Sequence, residues 1–100
     1  MFVNIIKTYR NVIAICDKEL LGKRFESGKF QLDVKESFYH GKDEPKSKEQ
    51  VIELMKSFSN EDATFSIVGK KSVAAAIEAG IIDQEGVGEI SGIPFALVLA

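Results

Sequence analysis

The sequence predicts a single α+β domain: a mostly antiparallel sheet built from hairpins, with two main helices packed on it. Three observations lead there. β-type segments fall in consecutive pairs around turn residues. Two segments carry apolar stripes at helical spacing. The helices do not alternate regularly with strands, which argues against a parallel α/β fold. The 100 residues can bury a core without metal or disulfide staples, and no internal repeat or interdomain linker interrupts them.

The elements follow in order. Phe2–Lys7 reads as a strand, with Thr8–Asn11 as a turn in which Asn11 is able to take a left-handed conformation. Val12–Cys16 is apolar on both faces, the mark of a central strand covered on both sides. Asp17 is placed to cap a single turn over "DKELLG", with Gly22 stopping it. A second hairpin turns at Ser27-Gly28, its return arm pointing Phe30, Leu32 and Val34 inward and Gln31 and Asp33 outward. "KESFYHGKDEPK" is a charged excursion anchored by Phe38 and Tyr39.

The first full helix starts at Ser47, which has capping-box spacing to Gln50, and buries Val51, Ile52, Met55 and Phe58 before "SNED" ends it. "ATFSIV" is a strand. "KKSVAAAIEA" is a second helix, alanine-rich, with Val73, Ala76 and Ile77 inward, Gly80 as C-terminal cap and Ile81 as the accompanying apolar contact. Strands Val87–Ile90 and Phe95–Leu99 meet around Ser91-Gly92, with Pro94 at the start of the second. That last strand is apolar on both faces, so burial between layers or in a subunit interface is expected.

Composition narrows the function classes. Hydrophobic residues are 45% and charged residues 28%, the profile of an ordinary globular domain. With 13 basic and 15 acidic residues the net charge is −2, so any nucleic-acid contact must use a local patch. One cysteine, Cys16, and one histidine, His40, cannot make a zinc cage. No export leader and no membrane span is read, so a cytoplasmic setting is expected. Cys16, ending an apolar strand, reads as core; a Cys16–His40–Asp17 constellation is not required by anything in the sequence.

The stretch Ser66–Gly80 outlines a strand, a glycine, two lysines, a serine and a helix. Aligned on Gly69-Lys70, a Walker loop needs glycine at 64 and Ser or Thr at 71; the chain has Thr64 and Lys71. A nucleotide-hydrolysing loop is therefore excluded, and an anion contact at a helix start remains. Lys70 and Lys71 oppose the helix dipole there, at a cost of ~0.3–1 kcal/mol each when exposed. Lys23-Arg24 forms a second basic pair, and Tyr9, Phe25, Phe38 and Tyr39 lie near basic residues in sequence, a combination used in RNA binding.

"CDKELLGKRF", "FYHG", "VGKKSVAAAIEAGII" and the closing "GIPFALV" resemble a small archaeal family catalogued as domain of unknown function 424. The resemblance covers nearly the whole chain, and "CDKELLGK" is its most specific part. It highlights Asp17, Glu19, Leu20, Leu21, Gly22, Phe38, Tyr39, Gly41, Gly69, Gly80 and Pro94. The family often has a histidine after this proline; here Phe95 takes that place. The resemblance implies a compact archaeal domain and supplies no reaction.

The leading functional reading is a non-enzymatic module contacting RNA or a translation-related ribonucleoprotein. It uses Gly69, Lys70, Lys71 and Ser72 at the helix start, with Lys23 and Arg24. The alternative is a small hydrolase or transferase of a phosphorylated ligand, holding the anion on Gly69–Ser72 with Asp17 or His40 as acid/base. A third reading is a structural subunit that homodimerises through an exposed face or its last strand. No catalytic residue, metal ligand or cofactor is assigned.

Overall fold

A computed structural model describes residues 1–59 and 61–99. Asn60, part of the helix-ending run, and Ala100 lie outside the described residues. The main sheet has five strands in the order β1-β2-β5-β7-β6: β1 (Phe2–Lys7), β2 (Asn11–Cys16), β5 (Ala63–Val68), β7 (Ile93–Leu99) and β6 (Gly88–Ile90). Every neighbouring pair is antiparallel except β2–β5, so the fold is α+β as expected. β3 (Arg24–Ser27) and β4 (Phe30–Asp33) form a separate two-stranded sheet. The helices are α1 (Glu36–Tyr39), α2 (Lys48–Phe58) and α3 (Lys70–Glu78), and short 3₁₀ turns cover Lys18–Leu20 and Gln84–Gly86.

The alternation along each strand divides the core in two. Val3, Ile13, Ile15, Phe65 and Ile67 face α2 and α3, meeting Val51, Met55, Val73, Ala75 and Ala76. Phe2, Ala14, Cys16 and Val68 face the other way, against Leu20, Val34 and Tyr39 from the β3–β4 region and α1. β2 is covered on both sides: Ile13 through Cys16 are all fully buried.

The local signals were mostly sufficient. Ser47 and Gln50 form the reciprocal capping box, at 3.3 Å and 2.9 Å. At the end of α3, Gly80 donates to the Ile77 carbonyl and Ile81 to that of Ala76, the two bonds of a Schellman motif. Ser91 (φ 52°) and Gly92 (φ 79°) both take positive φ, as a two-residue type I′ hairpin demands.

Four expectations are corrected. Asn11 is the first residue of β2, paired with Lys7, and is not left-handed. Phe30 is 71% exposed, because it sits at the tip of the β3–β4 hairpin, beyond the apolar cluster that holds Val34. The last strand begins at Ile93, so Pro94 is its second residue, and Leu97 and Leu99 are 71% and 70% exposed. The layer on that face of the sheet covers the end carrying Phe95 and stops short of these leucines. Asp17 makes no side-chain cap for its own 3₁₀ turn.

Candidate anion-binding surface

The parallel register of β2 and β5 sets Cys16 beside Val68, so the residues that follow, Asp17 and Gly69, emerge side by side. Main-chain bonds fix both: Asp17 N–H donates to the Val68 carbonyl (3.0 Å), and Gly69 N–H to the Pro94 carbonyl (2.8 Å). α3 starts there, with Gly69 as its N-cap residue. A glycine offers no capping oxygen, so the free N–H groups of the first turn need another acceptor.

Asp17 supplies it. One carboxylate oxygen accepts the Lys71 N–H (3.0 Å); the other accepts the Ser72 N–H (2.8 Å) and the Ser72 hydroxyl (2.7 Å). Asp17 is 2% exposed and Ser72 fully buried. Gly69 is demanded twice over. Its φ of 111° with ψ of 157° is a conformation essentially confined to glycine, and a Cβ there would lie 2.3 Å from the Asp17 Cγ. The anion at this helix start is thus the protein's own, and its charge complements the dipole that Lys70 and Lys71 oppose.

This revises the predicted site. Gly69 and Ser72 serve Asp17 and present no free donor to solvent, whereas Lys70 and Lys71 are exposed and have no ion-pair partner among the described residues. Lys71 stands between two depressions. One, of about 270 Å³, is lined by Asp17, Glu19, Leu20, Lys70, Ile93 and Pro94 together with Lys71. The other, of about 450 Å³, is lined by Met1, Lys46, Lys48, Lys71 and Ala74, with no carboxylate among the described residues of its wall. Met1 and Lys46 are held together by reciprocal bonds: the Met1 amine donates to the Lys46 carbonyl (2.9 Å) and the Lys46 N–H to the Met1 carbonyl (2.7 Å). Lys46 lies 3.8 Å from Asp43, and Lys48 pairs with Glu78 at 2.9 Å, which raises the Lys48 pKa above its ordinary value.

Sequence reasoning passed over Lys46 and Lys48. Their signal was the "KSK" around the Ser47 cap, and nothing local says that the start of α2 lies beside α3. The structure does not bring Lys23 or Arg24 to either depression; Arg24 is engaged with Glu26 (3.0 Å) and Gln31 (2.7 Å). Of the aromatic residues near basic ones, Tyr39 is buried with its hydroxyl 2.9 Å from Ser66 Oγ, and Phe25 and Phe38 pack in the second cluster. Tyr9 alone of these is fully exposed.

His40 is exposed, stacks on Phe2 at 4.8 Å between ring centres, and does not line the cleft beside Asp17. Cys16 is fully buried, and burial, reinforced by the neighbouring Asp17 charge, pushes its thiol pKa up to about 12. Neither has the setting of an activated nucleophile or base. Among the described residues no three His, Cys, Asp or Glu side chains converge as metal ligands.

The residues singled out in the family pattern mostly build this corner. Asp17 and Pro94 hold the α3 start, Glu19 and Leu20 line the smaller depression, and Tyr39 packs beneath the sheet. Asn4 donates to the Phe38 carbonyl (2.8 Å), and a Cβ on Gly41 would lie 2.1 Å from the Val3 carbonyl oxygen. Gly22 takes a positive φ of 81° after the 3₁₀ turn. Phe95 lies against Gly88, where an added Cβ would meet its ring at 2.7 Å. The model of the DUF424 family, described as proteins of unknown function, matches residues 6–100. The chain belongs to the DUF424 family.

A crystal structure of an uncharacterized conserved protein from Methanopyrus kandleri is similar to the DUF424 chain. The TM-score is 0.76 at 25% identity, over 98% of this chain and 90% of that one. No curated protein matches. No helix among the described residues is long and apolar enough to cross a membrane.

Proposed function

We propose that this protein is a binding module whose lysine surface contacts the phosphates of RNA or of a ribonucleoprotein. The observation that carries the reading is the convergence of Lys46, Lys48 and Lys71 on one depression without an acidic wall, with Lys70 beside them. Lys46 and Lys48 each have a carboxylate partner, Asp43 and Glu78, so the uncompensated positive charge of this surface comes from Lys70 and Lys71, which have no ion-pair partner among the described residues. The Lys71 and Ser72 amides play no part in the contact, because Asp17 already uses them. Phosphate recognition falls instead to flexible ammonium groups, which suits a backbone of variable geometry more than one fixed small anion.

Binding is favoured over hydrolysis or transfer by the state of the proposed acid/base groups. Asp17 and Gly69 do adjoin beside a cleft, as the enzymatic alternative requires, but both Asp17 oxygens are committed as hydrogen-bond acceptors. Single-stranded RNA binding across a salt series tests the reading with Lys70→Glu/Lys71→Glu and Lys46→Ala/Lys71→Ala. Each lysine removed is expected to lower the slope of log K against log salt by about 0.7–1. Unchanged affinity and slope in both variants would remove the lysine surface from function.

A further inference from the structure

The outer half of β7 is an open sheet edge. Because the Gly69 N–H bonds to the Pro94 carbonyl, Pro94, Ala96 and Val98 direct their backbone groups toward β5, and Phe95, Leu97 and Leu99 direct theirs the other way. β6 meets that second side only as far as Gly88, opposite Phe95. Beyond it Gly80–Asp83 and Gly86 flank Leu97–Leu99 across a groove of about 610 Å³. Among the described residues nothing pairs with the Leu97 N–H or carbonyl.

Proteins blunt such edges with charge, proline or a bulge; Ala96–Leu99 carries none of these, and its leucines are exposed. We propose that this edge pairs with the same edge of a second copy, antiparallel about a two-fold axis at Val98. The donor and acceptor pattern is self-complementary in that register. Leu97 faces Leu99 of the second copy, and each exchanges both backbone bonds. The exposed leucines then become cross-strand neighbours on one face, and the uncharged side chains of Ala96–Leu99 put no like charges opposite each other within the strand pair; Asp83 lies in the groove wall beside it. The paired segment is short, so the dimer forms at high protein concentration.

Molar mass measured by light scattering up to about 1 mM protein is expected to rise toward the dimer. Leu97→Lys/Leu99→Lys should weaken association at least about tenfold while the melting temperature holds, since both side chains are exposed in the monomer. The register has its own test. Val98 meets its own copy in a non-hydrogen-bonded pair, where Cα atoms are about 4.5 Å apart, within disulfide range. Val98→Cys should therefore cross-link on mild oxidation, and Leu97→Cys should not. A wild-type protein monomeric throughout, a lysine variant that associates equally, or cross-linking at 97 instead of 98 would each overturn the proposal.

Discussion

Asp17, one of two buried polar residues among those described, accepts three hydrogen bonds at the start of α3. Asp17→Ala leaves the Lys71 and Ser72 donors without an acceptor in a buried place, and a loss of about 2–4 kcal/mol is expected in denaturant unfolding. Asp17→Asn keeps one acceptor oxygen but turns an amide NH₂ toward N–H donors, for a loss of about 1–3 kcal/mol. Gly69→Ala should cost about as much as Asp17→Ala, through strain and through collision with that carboxylate. Cys16 gives a pH prediction. Its thiol, ordinarily near 9.0, is raised to about 12 in the fold by burial first and Asp17 second. The folded protein thus holds the proton more tightly than the unfolded chain. The associated stability is complete below pH 9.0 and declines as pH climbs toward about 12. Burial raises Tyr39 as well and adds to the same alkaline loss. Alkaline unfolding of Cys16→Ala should be less steep than wild type, and native Cys16 should resist alkylation until the chain unfolds; rapid labelling at pH 8 would contradict its burial.

At the level of elements, legibility followed the range of the interactions. The α2 capping box, the α3 Schellman end and the Ser91-Gly92 turn each depend on residues within about one turn of one another, and each was readable. Asp17 was misread because its type and place suit a cap for the next turn, while its true partners are in α3, across the sheet's one parallel pair. The expected burial of β7 between layers was misread for a related reason, while its place in a subunit interface stays a proposal. Its apolar alternation was real, but which end of a face the second layer covers depends on where the β3–β4 hairpin docks. That hairpin is tied to the β6–β7 turn by the Ser91 hydroxyl bond to the Glu26 carbonyl (2.8 Å).

For the whole molecule, the fold class was legible because hydrophobic period, turn residues and the order of strands and helices together decide it. The candidate surface was legible only in half. Lys70 and Lys71 stood out by opposing a helix dipole, whereas Lys46 and Lys48 join them only when α2 and α3 pack side by side. Scattered lysines in a chain of slightly negative net charge carry no mark of which ones meet.

The parallel β2–β5 pair also bears on how the chain reaches this state. Residues of β2 meet those of β5 only after the hairpin, α1 and α2 between them have been gathered in, so a large loop must close first. The carboxylate of Asp17 finds α3 only once that register is set. We predict that its bonds form after the transition state, so that their loss appears in the unfolding limb of a chevron, with refolding nearly unchanged. Stopped-flow kinetics of Asp17→Asn would read this as a φ-value near zero; a value near one would mean that the crossover closes early. A latch made last and broken first would lengthen the lifetime of the folded molecule, and a thermodynamic cap would act as a kinetic one.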